Sequence, residues 1–375
     1  MKRAERVASR LRAFREARGL TQEQLARLSG LTRQTVSAVE QERASVSAAS
    51  ALRLARALGC TVEELFALEA PVGVTARWAG AEAHLVPGQR IFVVQQAEGF
   101  VALPLEREIW SLPADGRVDA VARDGTVAVD LWRRPAGEGA RAILAGCDPA
   151  LPLLGQSVTA QGRGFGVAWR NATSGQALRL LAQGLVAVAG VHLLEEESGE
   201  YNLPFVRAAL SGQAVRLVHL AYVHEGLAVT PGNPLGIRGP EDLARPGVRF
   251  VNRPRGSGAR ALLDRELRRA GIPASAVLEY ERELPGHLDV ARAVALGLAD
   301  ACVTTESAAV LLGLAFVPLA RERYDLAVAG SCLEWPVVRA LLDVLHETAF
   351  RRELAALGPY EVGETGRELA RLEAA

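Results

Sequence analysis

The chain has 375 residues, of which 49% are hydrophobic and 23% are charged, and its mean hydropathy is +0.12. This length exceeds what one hydrophobic core usually serves, and this composition excludes a wholly disordered chain. The longest run without a charged residue has 15 residues, Leu180 to Leu194, which is too short to cross a bilayer. The N-terminus lacks the apolar stretch of a secretory signal, so we expect a cytoplasmic protein with no membrane partner.

The formal net charge is zero, but the charges are unevenly distributed. Residues 1–60 contain 12 lysine and arginine residues and five acidic residues, which gives this part a net charge of +7. The remainder of the chain therefore carries about −7. A basic N-terminal part on an acidic body indicates that the first part contacts a polyanion and that the body has another task.

The N-terminal part has the pattern of an all-α unit. Val7, Leu11 and Phe14 are spaced at helical intervals and predict a first helix. Thr21 and Thr32 precede apolar helical patterns and predict the N-caps of two further helices. Short connections between these helices indicate one compact bundle.

Two different patterns follow this helical unit. Residues 70–139 contain short β-like runs separated by turn sequences, which predicts a small β-rich connector. From residue 140 onward, strands alternate with helices, which is typical of an α/β architecture with parallel sheets. We therefore expect a multi-domain protein with domains at residues 1–69, 70–139 and 140–375.

The segment GLTQEQLARLSGLTRQTVSAVE, residues 19–40, resembles the helix-turn-helix of the phage-repressor (Xre/Cro) family. The resemblance covers about residues 4–67 and rests on the spacing of Gln22, Ala26, Gly30, Val36 and Glu40. It implies that the helix beginning after Thr32 lies in the major groove of double-stranded DNA. It also implies a buried, structural ion pair between Arg15 and Glu40.

The resemblance places several side chains against DNA. Arg33, Gln34 and Ser37 would face base edges, because Arg matches guanine and Gln matches adenine with two hydrogen bonds each. Gln22 and Arg43 would hold phosphates. The full set predicted to contact DNA is Gln22, Thr32, Arg33, Gln34, Ser37 and Arg43. Because one module covers one half-site, we expect a homodimer on an inverted-repeat operator.

Two strand-to-helix junctions of the α/β part are rich in glycine and hydroxyl residues. Residues 171–175 read NATSG, and residues 252–260 read NRPRGSGAR. Free backbone N–H groups and the helix dipole favour an anion at a helix N-terminus, and glycines let a ligand approach the backbone. Two such junctions together predict a site for a small, anionic ligand.

Three blocks, residues 174–192, 255–260 and 316–325, resemble the periplasmic-binding-protein-like domain that is related to molybdate-binding proteins. The resemblance covers about residues 140–375. It implies a two-lobed (type II) α/β fold with the ligand between the lobes. The residues that it places at the ligand are Asp148, Thr173, Ser174, Arg255, Ser257, Gly258, His287 and Tyr324.

The first loop of this domain departs from the family pattern. Molybdate binders of this fold offer a serine there, whereas this chain has Cys147-Asp148-Pro149. An ionised Asp148 facing the cleft would repel an oxyanion, but an Asp before a Pro is also a common helix cap that is turned away from the ligand. The expected effector is therefore molybdate or tungstate, or a larger pterin-like or other organic molecule.

The sequence shows no pattern typical of catalysis or of metal binding. The six histidines have no HExxH spacing, the four cysteines form no CxxC pair, and there is no Walker loop or GxSxG motif. We therefore predict no catalytic residue, no metal ligand and no cofactor, and a transcriptional regulator rather than an enzyme. Two alternatives stay open: a cytoplasmic protein of molybdenum-cofactor metabolism that binds a pterin-like ligand, and a carrier module whose helical head binds protein.

Overall fold

The computed structural model describes residues 6–41, 44, 46–69, 72–81, 85–106, 109–133 and 135–374. The chain divides into two compact units, one comprising the residues up to 74 together with 130–132, the other comprising 75–129 and 133 onward. Each unit is described by itself. Within the described ranges, no helix combines the length and the apolar character that crossing a membrane requires.

The first unit contains short helices and a small sheet. Its described elements are strand β1 (Arg6–Ser9), helices α1 (Leu11–Glu16), α2 (Gln22–Ser29), α3 (Arg33–Glu40), α4 (Ala48–Leu58) and α5 (Val62–Leu65), and strand β2 (Phe66–Glu69). The helices pack around Leu11, Leu25, Val36, Leu54 and Leu65, which are all fully buried. This arrangement confirms the predicted helical head.

One expectation for the head is wrong. Val7 does not belong to the first helix, because β1 pairs antiparallel with β2 and places Val7 opposite Leu68. The backbone partner of this strand lies about 60 residues further along the chain. A helical spacing of apolar residues over so short a stretch could not reveal that partner.

A β-rich part follows the helical head in the chain, and most of its residues belong to the second unit. Strands β3 (Val72–Trp78), β4 (Arg90–Gln96), β5 (Gly99–Pro104), β6 (Gly116–Val121) and β7 (Thr126–Leu131) form a closed barrel in the order β3-β5-β4-β6-β7. Closure leaves the barrel without an unpaired edge strand. The prediction of a small β-rich segment is therefore confirmed.

The α/β part follows the barrel in the chain. Its elements are β8 (Arg141–Gly146), α6 (Ala150–Ala160), β9 (Gly166–Asn171), α7 (Ser174–Ala182), β10 (Val188–Val191), α8 (Leu203–Ala209), β11 (Val215–Val229), β12 (Phe250–Val251), α9 (Gly258–Arg269), α10 (His287–Ala295), β13 (Ala301–Thr305), α11 (Glu306–Leu311), β14 (Ala315–Ala329), α12 (Pro336–Val344), α13 (Thr348–Ala356) and β15 (Glu368–Leu372). The sheet order is β12-β13-β11-β14-β10-β8-β9, and β15 also pairs with β11.

Two long strands connect two lobes. β11 and β14 are 15 residues each and pair antiparallel, from Val215 opposite Ala329 to Val229 opposite Ala315. One end of this pair lies beside β10 in the first lobe, and the other end lies beside β13 in the second lobe. Polar residues such as His224 and Glu225 interrupt the apolar runs of β11, so the sequence pattern alone does not show that it is one long strand.

Candidate functional site

The helices α2 and α3 form the predicted helix-turn-helix. Thr21 accepts a hydrogen bond from the backbone of Gln24 at 3.2 Å, and Thr32 accepts one from Thr35 at 3.0 Å, so both predicted N-caps are confirmed. Gly30 ends α2 with φ of 66°, a left-handed conformation that favours glycine. These local signals explain why the motif could be recognised in the sequence.

The residues predicted to contact DNA lie in different environments. Arg33 and Gln34 are exposed at the start of α3, and Ser37 is half-buried one turn later. The Nε2 atom of Gln22 donates to Glu40 at 2.8 Å, which places this amide in the interior hydrogen-bond network of the head. Arg43 lies outside the described residues. The contacts of these side chains with DNA stay a prediction.

The implied ion pair between α1 and α3 is present. The Nε atom of Arg15 lies 2.6 Å from Oε1 of Glu40, and the two side chains are 11% and 2% exposed. Arg15 also donates to the carbonyl oxygen of Leu20 at 2.7 Å. This pair connects helices of the head and does not face outward, which agrees with a structural role.

A group of buried polar side chains lies where the two lobes of the second unit meet. We call it the interlobe cluster, and every member is at most 3% exposed. Its members are Cys147, His192, Glu225, Arg253, His287, Glu322 and Tyr324. So many buried ionisable groups in one place are costly unless they pair or bind a ligand.

The fold brings this cluster together from three regions. Cys147 and His192 directly follow the first-lobe strands β8 and β10, at the carboxyl ends where α/β sheets bind ligands. His287 opens helix α10 of the second lobe. Glu225 and Glu322 lie on the two crossing strands. The cluster therefore contains groups from both lobes and from the strands that join them.

His192 lies at the centre of the cluster. Its Nε2 atom is 3.2 Å from the Sγ atom of Cys147. Its Nδ1 atom is 3.0 Å from Oε2 of Glu322 and 3.6 Å from Oε1 of Glu225. The same Glu225 oxygen lies 3.6 Å from Nε2 of His287, and the ring of Tyr324 stacks on His192 with 5.4 Å between ring centroids.

The electrostatic environment shifts the pKa values of this cluster in opposite directions. Burial opposes ionisation of the Cys147 thiol, but the charge and hydrogen bond of His192 outweigh it, so the pKa of Cys147 is lowered. Burial likewise opposes protonation of His192, but Cys147 and Glu225 raise its pKa well above the usual value. Burial lowers the pKa of His287, and the nearby Arg253 adds to this effect. The direct contact between Cys147 and His192 therefore favours the charged form of each, whereas burial favours the neutral form of His287.

Several buried polar atoms of the cluster have no hydrogen-bond partner among the described residues. They are both carboxylate oxygens of Glu225, Nε and Nη2 of Arg253, Nε2 of His287 and the hydroxyl of Tyr324. Buried polar groups are normally paired, since leaving one unpaired costs about 1–3 kcal/mol. Their convergence on one place is what a ligand-binding site requires.

Four of the sequence-predicted ligand residues lie in or against this cluster. His287 and Tyr324 are members, and Ser174 accepts a hydrogen bond from the backbone N–H of His192 at 3.2 Å. Gly258 lies so close that a Cβ atom there would overlap the carbonyl oxygen of His192. Because Gly258 belongs to the second lobe, this contact also joins the lobes.

Three other predicted ligand residues form hydrogen bonds or ion pairs with neighbouring groups of the protein. The hydroxyls of Thr173 and Ser257 cap helices α7 and α9, with backbone donors at 3.3 Å. Arg255 is exposed and pairs with Glu281 at 3.2 Å. The arginine that this loop buries is Arg253, which the sequence analysis did not nominate.

The sequence left open whether Asp148 faces the cleft or caps a helix, and the structure shows features of both. It is buried, and its Oδ1 atom accepts hydrogen bonds from the backbone of Ala150 and from the hydroxyl of Tyr360, both at 2.8 Å. Its Oδ2 atom has no partner among the described residues. Burial raises the pKa of Asp148, which weakens the repulsion that an anion would meet.

Sequence reasoning missed five members of the cluster. They are Cys147, His192, Glu225, Arg253 and Glu322. No short motif connects them, because they come from separate strands and loops. The available signal was weak: Cys147 and His192 each follow a buried apolar strand, which is where α/β folds place ligand-binding side chains.

A cavity of about 200 Å³ adjoins the cluster. Cys147, Trp169 and Asn171 line it from the first lobe, and His287 and Asp289 line it from the second lobe. Cys147 and His287 therefore belong both to the cluster and to the cavity wall. The cavity offers a small molecule contact with the cluster.

The fold and the site define a helix-turn-helix protein fused to a two-lobed, binding-protein-like domain. Residues 155–346 match the family model described as PBP superfamily domain, and residues 11–65 match the model described as helix-turn-helix. The first match covers about half of the chain. The chain belongs to the PBP superfamily, and its N-terminal unit is a helix-turn-helix domain.

Three curated relatives share parts of this chain. The uncharacterized protein YvgK of Bacillus subtilis is 34% identical over 185 residues, which are 49% of this chain and 59% of the relative's length. An uncharacterized protein from the 5′ region of a ferredoxin gene of Clostridium pasteurianum is 35% identical over 112 residues, 30% of this chain and 99% of that protein. An uncharacterized HTH-type transcriptional regulator of Methanothermobacter thermautotrophicus is 48% identical over 60 residues, 16% of this chain and 87% of that protein.

Solved structures resemble the α/β part more distantly. The sulfate-binding protein SubI of Mycobacterium tuberculosis is 18% identical, covers 60% of this chain and 88% of its own, and has a TM-score of 0.45. The tungstate ABC transporter protein of Geobacter sulfurreducens is 17% identical, covers 58% and 98%, and has a TM-score of 0.44.

Proposed function

We propose that the protein is a one-component transcriptional regulator. Its helix-turn-helix binds operator DNA, and its two-lobed domain binds an effector at the interlobe cluster. The observation that carries this proposal is the set of partnerless, buried polar atoms contributed by both lobes. A ligand that satisfies atoms of both lobes binds the closed arrangement more tightly and so shifts the population toward it. If that shift is coupled to DNA binding, the coupling is reciprocal.

The first proposed effector is a small oxyanion such as molybdate or tungstate. The Nε and Nη2 atoms of Arg253 offer two unpaired donors, and the N-termini of α7 and α9 lie beside His192. A pterin-like organic molecule is the second candidate. The cavity favours it, because Trp169 offers an aromatic face and Oδ1 of Asn171 is a buried acceptor without a partner among the described residues.

Thermal shift and calorimetry on the full chain test the effector. We expect molybdate, tungstate or a pterin to raise the melting temperature, because a ligand specific to the native state stabilises it. Ser174→Ala should weaken the binding of an oxyanion by about 1 kcal/mol, roughly fivefold, through loss of one hydroxyl. Ser157→Ala is the matched control, since that hydroxyl donates within α6 at 2.9 Å to Leu153. If no compound stabilises the wild type, or if Ser157→Ala has the same effect as Ser174→Ala, the proposed effector site is wrong.

DNA binding is tested on the exposed side chains of α3. Arg33→Ala and Gln34→Ala should each lose about 1–3 kcal/mol on the selected operator and relax the base preference, whereas Arg43→Ala should weaken all DNA alike. Arg53→Ala, on the exposed surface of α4, is the control. Fluorescence anisotropy with operator and random duplexes measures the difference, and equal binding by all variants would contradict the assignment.

We also propose that a homodimer is the working unit, for which a footprint over two half-sites is expected.

A further inference from the structure

We propose that Cys147, His192 and His287 bind a divalent transition-metal ion, zinc in the first instance, that joins the two lobes. This inference rests on the proposed function for its regulatory meaning, because it names an ion that binds at the same interlobe cluster. The site itself is tested without DNA. Thiolate and imidazole are the ligands that zinc prefers in proteins.

The three donor atoms have the separations that a metal site needs. All of them lie within 4.8 Å of one another. The Sγ atom of Cys147 is 3.2 Å from Nε2 of His192. Around a tetrahedral zinc with bonds of about 2.3 Å to sulfur and 2.0 Å to nitrogen, this separation is roughly 3.5 Å. For this pair of ligands, a shift of a few tenths of an ångström therefore suffices.

The hydrogen bonds of both histidines direct a lone pair toward this position. Nδ1 of His192 lies 3.0 Å from the acceptor oxygen of Glu322, so it keeps its proton, and a metal ion would replace the proton on the Nε2 atom that faces Cys147. Thr304 donates its hydroxyl to the carbonyl of His287 and therefore accepts from Nδ1 of that ring at 3.3 Å. Nε2 of His287 is left as an acceptor without a partner among the described residues. A carboxylate behind a ligating histidine is a common arrangement in metal sites.

Glu225 lies beside this arrangement, in a second group of possible ligands with His192 and Glu322. Its Oε1 atom is 3.6 Å from Nε2 of His287, and both of its oxygens lack a hydrogen-bond partner among the described residues. A bound dication would also interact favourably with the carboxyl oxygens of Glu225 and Glu322, which lie near the same ring of His192. The types of donor atom thus favour a cation at this position.

The positions of the three ligands indicate how an ion reaches the site and how its binding affects the two lobes. Cys147 and His287 line the cavity next to the cluster, which provides a route for an ion and its remaining ligands. Cys147 and His192 belong to the first lobe, whereas His287 belongs to the second lobe. A metal held by all three stabilises the arrangement in which the lobes are together.

Cobalt(II) titration of the chelator-treated full chain tests the site. We expect one ion per chain, with the ligand-field absorption of a tetrahedral centre and a thiolate-to-metal charge-transfer band, both lost when zinc is added. Zinc alone should also raise the melting temperature. A wild-type chain that binds neither cobalt nor zinc overturns the proposal, whatever the variants do.

Variants identify the ligands. Cys147→Ser should remove the charge-transfer band, and His287→Gln should weaken cobalt binding at least tenfold. Glu322→Gln should weaken it about 10–100-fold while the band is kept, because it acts through His192. Cys332→Ser and His346→Gln are the controls, since Cys332 is another buried thiol of the first lobe and His346 is exposed. Circular dichroism confirms that each variant is folded, and a band that survives Cys147→Ser in a folded chain overturns the assignment.

The same preparations separate this inference from the proposed function. If zinc binds as expected but leaves operator affinity unchanged, the metal site stands and its regulatory role fails. If no metal binds but an oxyanion or a pterin still changes operator affinity, the proposed function stands and the metal site is overturned.

Discussion

Glu40→Ala should destabilise the helix-turn-helix unit by about 3 kcal/mol, because it leaves the buried guanidinium of Arg15 with only the half-exposed Glu16 and the carbonyl oxygen of Leu20 as partners. The wild-type pair makes two contacts, at 2.6 and 3.2 Å, and Gln22 donates to the same carboxylate. A loss of this size approaches the whole stability of a small domain. We therefore expect an unfolded head and loss of DNA binding, with the second unit unchanged.

Hydrogen exchange of residues 11–65 in the full chain measures this effect locally. Glu23→Ala removes the same charge from an exposed position on α2 and should change protection little. The double variant Arg15→Met with Glu40→Leu should regain much of the protection, because hydrophobic residues often replace a buried ion pair without cost. Equal exchange in Glu40→Ala and Glu23→Ala would show that the pair does not support the head.

Gly226→Ala should destabilise the second unit by about 1–3 kcal/mol, because a Cβ atom there would overlap the carbonyl oxygen of Val317 and lie 3.0 Å from the backbone nitrogen of Leu319. These are backbone atoms of the paired crossing strand, so no side chain can move aside. The pairing register shifts between Glu225 and Gly226. A displaced backbone at this point would also displace Glu225 from the interlobe cluster.

Urea unfolding followed by tryptophan fluorescence tests this prediction, since four of the five tryptophans, among them the buried Trp169, belong to the second unit. Gly363→Ala is the matched control, since a Cβ there meets no atom within 4 Å. We expect a lower midpoint for Gly226→Ala and an unchanged midpoint for Gly363→Ala. Equal midpoints would mean that the crossing strands accommodate the methyl group.

Local chemistry allowed the sequence to determine the helical head. Thr21, Gly30 and Thr32 act on backbone groups within three or four residues of themselves, so their roles can be inferred without the fold. The alternation of strands and helices likewise indicated the α/β body, because each element shows its own periodicity. Ser174, Gly258 and His287 were found for the same reason, as residues at helix starts.

The tertiary structure alone decided the composition of the interlobe cluster. Cys147 and His192 lie 45 residues apart, and Glu322 lies 130 residues beyond His192. The ring of His192 is nevertheless 3.2 Å from the Sγ atom of Cys147 and 3.0 Å from a carboxyl oxygen of Glu322. Arg253 is buried and Arg255 is exposed, although both belong to the same loop and have the same side chain. Spacing along the chain cannot distinguish such residues. Their burial and pairing depend on how the crossing strands bring the two lobes together, and those strands pair over separations of about 90 to 110 residues.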